Sequence, residues 1–366
     1  MTRTWAWIAL ALLPAVMAPG CAGHGVRRGP VPEIQWPPAP AEARIRYGGD
    51  LASLAKKRSS GFFAGIGRLL SGAPSEIELV RPAGLHADAA GKLFIVDQGA
   101  RSLYVLDAEE HLILEVDLAD IAGLEEPVDV VTDASGRIYI TDPRRSEVAV
   151  LDRKGRFLKV ISDPALKRPT GLAHLSSEDH VIVVDTLGGE PAAGLPPGER
   201  VPGQHLFRYQ TEDGVLVGLP AALSGSIELN HPVFATEDGT GNLWVTDSLN
   251  FRLCRFTPGG KLVGVFGISG DGPGTFARPK GVAVDRDGNV YVVDALFGNC
   301  QIFSPDGELL LHFGGAGRGP GEFMMPNDIA ITGDRIYISD AYNRRIQGFH
   351  YLGPPPVEDA PEGGNR

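Results

Sequence analysis

The chain has 366 residues, with 34 Lys and Arg against 45 Asp and Glu, for a formal charge of −11. A negative surface repels phosphate backbones and anionic headgroups, which disfavours broad nucleic-acid or polybasic membrane binding. Apolar residues make up 43% and charged residues 22%, so a large core can be buried and global disorder is excluded. The 48 Gly and 29 Pro, spread between apolar runs, predict many turns and therefore many short strands.

At the N-terminus, Arg3 precedes an apolar run from Trp5 to Met17 that is too short to span a bilayer, the pattern of a secretory signal over residues 1–20. The run ends Ala18-Pro19-Gly20-Cys21. It resembles a bacterial lipoprotein signal, and the resemblance implies a diacylated Cys21 as the new N-terminus. Ala18 and Pro19 depart from the usual Leu and small residue, and ordinary signal-peptidase cleavage nearby is the alternative. In that class, Ala22 after the cysteine implies outer-membrane sorting. Residues 21–43, rich in Pro and Gly, read as a semi-rigid tether. The remainder is expected on the periplasmic side of the outer membrane or at the cell surface, held by the N-terminal lipid. Arg44 to Gly49 then alternates like a strand. Within 51–75, Phe62, Phe63, Ile66, Leu69 and Leu70 recur at helical spacing and predict one short amphipathic helix. It either packs on the rim of the folded domain or lies in a membrane interface.

From Leu79 onward one pattern recurs six times: a Pro, a β-rich run, a tight turn, a second β-rich run and an Asp. The prolines are Pro82, Pro127, Pro169, Pro232, Pro279 and Pro326, and the aspartates are Asp97, Asp142, Asp185, Asp247, Asp294 and Asp340. The intervals are 15, 15, 16, 15, 15 and 14 residues. Each unit reads as four short antiparallel strands, with Asp-Gly and Asn-containing turns that accept the positive φ of hairpins. A four-stranded sheet repeated at this period predicts an all-β, six-bladed β-propeller over residues 44–352, followed by a disordered tail over 353–366. The last copy supplies only three strands and would leave an open edge. Arg44 to Gly49 is predicted to pair with Ile346 to Tyr351 as the missing outer strand, closing the ring.

Pro279-Lys280-Gly281-Val282-Ala283-Val284-Asp285, Gly288 to Asp294, Gly272-Pro273-Gly274-Thr275-Phe276 and Asp340 to Gln347 look like NHL repeats. The resemblance covers about Leu79 to Leu352, is strongest in the last three copies and loosest in the third. It implies the same six-bladed propeller.

Alternating strand direction sorts the loops onto two faces. The lead-in at each Pro and the loop after each Asp share one face; the hairpin turns lie on the other. The insertion Thr186 to Gln204 and the Gly-rich lead-ins Ile268 to Phe276 and Gly314 to Phe323 fall on the first face, as binding loops on a rigid scaffold do. The six repeated aspartates serve the blades, accepting backbone N–H bonds or pairing with Arg101, Arg145, Arg252 or Arg345. Two residues past each Pro stand Gly84, Asp129, Gly171, Phe234, Gly281 and Asp328, so blades two and six carry carboxylates. With His231, Lys280 and Asn327 nearby, the candidate binding residues at the channel mouth are Asp129, His231, Phe234, Lys280, Asn327 and Asp328. The competing reading has Asp129 and Asp328 capping amides of the next blade.

His86, His174 and His231 share no register that would aim them at one zinc ion. Amidating lyases that share this propeller place zinc histidines directly after such prolines, where this chain has Ala83, Val128, Thr170, Val233, Lys280 and Asn327, so lyase activity is not implied. Cys254 and Cys300, in third strands of adjacent blades, are expected as buried free thiols, with a disulfide as the alternative. The leading reading is a tethered binding or scaffold protein without cofactor, offering its rim to an envelope protein or a glycan and not to nucleic acid. The alternative is a metal-assisted lyase or hydrolase with Ca or Zn in the channel, using Asp129, Asn327 and Asp328.

Overall fold

A computed structural model describes residues 31–54, 76–189, 204–212 and 227–353. The expected secretory signal, Cys21, the apolar stripe of the 51–75 segment, most of the insertion after Asp185 and the expected tail beyond residue 353 lie outside the described residues.

The architecture begins in the hairpin turns. In four of them an aspartate, Asp88, Asp133, Asp238 or Asp285, accepts the amides two and four residues on, each at 2.9 Å. The glycine three residues on, Gly91, Gly136, Gly241 or Gly288, takes a φ of 78 to 84°, a region closed to most side chains. The carboxylate satisfies the turn's donors and the glycine supplies its bend, which is why Asp and Gly recur at this spacing. An aromatic residue on the second strand ties the turn to the sheet: Tyr139, Trp244 and Tyr291 donate to Asp133, Asp238 and Asp285 at 2.9, 3.0 and 3.1 Å.

These hairpins build six antiparallel sheets. Blade one comprises Pro82–Ala87, Leu93–Asp97, Ser102–Leu106 and Leu112–Asp117. Blade two comprises Val130–Thr132, Ile138–Asp142, Glu147–Leu151 and Phe157–Ser162. Blade three has Pro169–Leu175, His180–Gly189 and Gln204–Gln210 among the described residues. Blade four has Pro232–Glu237, Leu243–Asp247, Arg252–Phe256 and Leu262–Phe266, and blade five has Pro279–Val284, Val290–Asp294, Asn299–Phe303 and Leu309–Gly314. Hydrophobic cores form between blades: Trp244 and Leu253 of blade four pack with Val290 and Val292 of blade five. The described helix is Leu118–Ala122, after blade one, capped by Asp117; the helix expected within 51–75 is not among the described residues. Cys254 and Cys300 are buried and unpaired, as expected.

Blade six closes the ring as the alternation of Arg44 to Gly49 predicts. Pro326–Thr332, Arg335–Asp340 and Arg345–Tyr351 are completed by Ile45–Leu51, which pairs Ile45 with Tyr351 and Leu51 with Ile346. Ile45, Tyr47 and Leu51 are buried, and the Tyr47 ring meets Phe349 edge-on at 5.6 Å. The chain joins the fold earlier than its proline content suggests. Gln35–Trp36 adds a fifth strand outside Ile45–Leu51, and Trp36 packs 5.8 Å from Phe313 and 5.9 Å from Phe349. The expected tether thus gives way to packed chain well before residue 43.

Each Gly-Pro-Gly lead-in of the last two blades is held by a glutamine on the blade's third strand. Gln301 accepts from the Gly274 amide and donates to the Thr275 carbonyl, both at 2.8 Å, and Gln347 treats Gly321 and Glu322 in the same way.

Candidate functional site

The six repeated aspartates at second-strand ends have 0% exposure and form a structural ring, as their regularity predicts. Each accepts the amide of the residue two before its own blade's proline: Val80, Glu125, Lys167, Asn230, Ala277 and Met324, at 2.6 to 2.8 Å. Each also holds the loop after it. Asp294 accepts from the Leu296 and Phe297 amides at 3.0 Å, and Asp340 receives the Asn343 amide group and the Arg345 guanidinium. One buried carboxylate per blade therefore pins both mouth-face loops.

The positions just outside this ring surround a cavity of about 480 Å³ at the channel mouth. The residue before each proline lines it: Arg81, Glu126, Arg168, His231, Arg278 and Met325. So does the residue after each proline, Lys280 and Asn327 among them. Lys280 Nζ donates to Asn327 Oδ1 at 2.6 Å. Burial, then the charge of Arg278, pushes the Lys280 ammonium down to about 8, against the pull of Asp328. The His231 imidazole is lowered by burial, then by Arg278 and Arg168.

Asp129 and Asp328 do not line this mouth. They sit one residue deeper, at a waist, and face a second cavity of about 280 Å³ at the hairpin-turn end; Phe234 lines both. The correction has a steric cause. Two past the proline, glycine alternates with a larger residue, and a Cβ on Gly84, Gly171 or Gly281 would lie 2.4 to 2.6 Å from backbone of the next blade. The innermost strands of blades two, four and six press against those glycines, and their side chains narrow the channel.

At the waist the carboxylates act as clips between blades. Asp129 accepts from the Val130 amide and, across the blade boundary, from Leu172, both at 2.8 Å. Asp328 accepts from Leu85 of blade one at 2.7 Å and from the Ile329 amide. The amide-capping reading is the one the geometry realises. Burial pushes the Asp328 carboxyl up to about 7, and burial together with the charge of Asp328 raises Asp129 well above the usual range.

The second cavity holds His86 and His174, at the opposite end from His231. His86 Nε2 lies 2.9 Å from Thr132 Oγ1 of blade two, and burial pushes it down to about 4. His174 Nε2 lies 2.8 Å from Asp179. Among the described residues, Asp107, Glu109 and His111 lie close enough to share a cation, but Asp107 Oδ1 already accepts the amides of Glu109 and His111 in a surface hairpin.

The repeat phase also places a feature that inspection of charged residues overlooks. Two past the buried aspartates of blades three to six stand Leu187, Leu249, Leu296 and Tyr342, exposed by 62, 45, 57 and 61%. Ile268, on the lead-in to blade five, is 68% exposed. Leu187 and Tyr342 also line the mouth cavity. Blades one and two have Gly99 and Arg144 at this position, so the apolar crescent covers one side of the rim.

Residues 286–353 match a family, DUF5128, described as a 6-bladed beta-propeller. No curated protein matches the sequence. Among solved structures, virginiamycin B lyase from Staphylococcus aureus aligns at 16% identity over 74% of this chain and 95% of its own, with a TM-score of 0.51. An auxiliary nutrient binding protein from Bacteroides thetaiotaomicron aligns at 15% identity over 75% and 70%, TM-score 0.55. A gluconolactonase from Xanthomonas campestris aligns at 16% over 74% and 86%, TM-score 0.53. At these identities the likeness is one of fold.

Proposed function

We propose that this chain is a lipid-anchored envelope binding protein of NHL-repeat type, which presents the mouth face of its propeller to another envelope protein. Nutrient binding, lactone hydrolysis and antibiotic lyase activity all occur on this fold, so fold alone does not choose between binding and catalysis. The observation that carries the reading is the crescent of Leu187, Leu249, Leu296 and Tyr342. Exposed apolar side chains set in phase around one rim, on loops pinned by buried carboxylates, favour a protein partner over a glycan. A metal-assisted reaction at Asp129 and Asp328 has less support, because both Asp129 oxygens and Asp328 Oδ2 already accept amide hydrogens.

The Ala18-Pro19-Gly20-Cys21 sequence after an apolar run supports membrane attachment through Cys21, at the periplasmic or the outer surface, as part of this reading. The test is site-specific photocrosslinking in intact cells, with the crosslinker at position 296 on the crescent or at 310 on the outer strand of blade five. A discrete adduct at 296, absent at 310 and lost in a Leu249→Asp variant, is expected. Identical adduct patterns at the two positions would overturn the reading.

A further inference from the structure

The mouth cavity has an internal order that its role as a docking face does not require. The residue before the proline is arginine in blades one, three and five: Arg81, Arg168 and Arg278. Alternate blades of a six-membered ring stand in threefold relation, so the three arginines line the mouth cavity from three sides. Their placement is rigid at the root, because each arginine's backbone N–H donates to its own blade's buried aspartate, Asp97, Asp185 or Asp294, at 2.9, 2.7 and 3.0 Å. Lys280 adds a fourth cation within the same cavity.

Positive charge here runs against the composition of the molecule. In a chain of net charge −11, Glu126 is the one carboxylate lining the mouth among the described residues, and it lies 4.0 Å from Arg168. Arg81, Arg278 and Lys280 have no ion-pair partner among the described residues, and the hydrogen bond of Lys280 goes to the neutral amide of Asn327. Gathering unpaired cations in a concave, partly desolvated site is electrostatically unfavourable unless an anion completes it, and such a funnel raises the local concentration of anions. The arginine fork matches the planar carboxylate and the phosphate group in geometry.

We infer that the channel mouth is a receptor for an oxyanion, a carboxylate or phosphate carried on a small ligand or on the partner's docking segment, gripped by Arg81, Arg168, Arg278 and Lys280. The inference rests on the reading of the mouth as a binding face and names the chemistry that face accepts. Leu187 and Tyr342 at the cavity edge supply apolar surface for the body that carries the anion.

Isothermal titration of the full chain with glucuronate, inorganic phosphate and glucose tests it. Glucuronate and glucose differ in the carboxylate, and phosphate reports the other source of the same chemistry. At least one of the two anions should bind and glucose should not, with affinity falling as salt rises from about 20 to about 300 mM. Binding should weaken about tenfold or more, the loss of one charge-assisted contact, in Lys280→Met and in Arg278→Gln. Both variants remove a cation that has no ion-pair partner among the described residues and leave the buried Asp ring intact, so they are expected to fold; Arg81→Gln provides a third, on another blade. Binding of neither anion, or equal binding by wild type and all three variants, overturns the inference. The crosslinking at position 296 reports separately on the docking face, so either result stands without the other.

Discussion

Asp328→Asn isolates the electrostatics of the waist. The substitution preserves shape and one acceptor oxygen for the Leu85 amide, and it removes the charge. In the folded chain burial holds the Asp328 carboxyl up at about 7, although the amides of Leu85 and Ile329 and the charge of Lys280 pull it down. In the unfolded chain an aspartate ionises near 3.9. Between those two values the native state retains a proton that the unfolded state has released, so stability falls as pH rises through the window. The slope is about 1.36 kcal/mol per pH unit for one proton, which over about three units amounts to an effect on the order of 4 kcal/mol.

The asparagine variant lacks this term but leaves the Ile329 amide without its acceptor, at about 1–3 kcal/mol. It should therefore be less stable than wild type near pH 4.5 and equal or more stable near pH 8. Urea unfolding of both chains across that range measures the difference; groups that do not feel Asp328, such as the lowered His86, cancel in it, whereas Asp129, raised in part by the Asp328 charge, is relieved in the variant and adds to the same pH-dependent difference. A wild-type-to-variant difference that stays constant from about pH 4.5 to 8 would refute the claim that this carboxyl is held protonated by burial.

Two further outcomes follow from the ring. Deleting residues 41–50 removes the strand that buries Ile45 and Tyr47 in blade six, and should lower the melting temperature of the whole domain, while Tyr47→Ala alone should cost about 3–5 kcal/mol; an unchanged melting curve would refute closure by this strand. Gly281→Ala would set a Cβ 2.5 Å from Asp328 Cα, forcing two blades apart at about 1–3 kcal/mol or more, whereas Gly239→Ala, with nothing within 4 Å, should melt within a degree or so of wild type.

The architecture was legible because each repeated residue answers a local demand. Asp285 and Gly288 solve a turn, Asp294 satisfies the amides of its lead-in, and Arg44 to Gly49 supplies the edge that Arg345–Tyr351 lacks. The sequence also marks Asp129 and Asp328 as departures, but their depth was not readable. Whether a residue two past the proline reaches the mouth depends on how closely blades approach, which Gly84 and Gly281 set through contacts with chain more than 40 residues distant. The apolar crescent was hidden for a different reason. As single residues Leu249 and Leu296 are indistinguishable from the other leucines of a β-rich chain, and the phase relative to Asp247 and Asp294 is what marks them as loop positions. The arginines before Pro82, Pro169 and Pro279 carry the same kind of signal, visible when the copies are aligned on proline and invisible in the total charge.

A propeller separates scaffold from function by phase within the repeat, and this chain draws that boundary at single-residue resolution. Asp294 accepts the amides of Ala277 and Arg278 on one side and of Leu296 and Phe297 on the other, so one invisible carboxylate fixes both a cation of the funnel and an apolar contact of the rim. Side chains one position to either side vary freely because their backbone is already held: the residue before proline runs Arg, Glu, Arg, His, Arg, Met around the ring. The odd blades combine arginine at that position with glycine at the waist, while the even blades supply the bulk, Asp129, Phe234 and Asp328, that narrows the channel. Narrowing the waist divides the channel into a mouth cavity lined by Arg81, Arg168, Arg278 and Lys280 and a second cavity at the hairpin-turn end, with apolar side chains on the mouth's rim. On the proposed reading, the cations of the mouth would take the head group of a ligand and the rim would take its body.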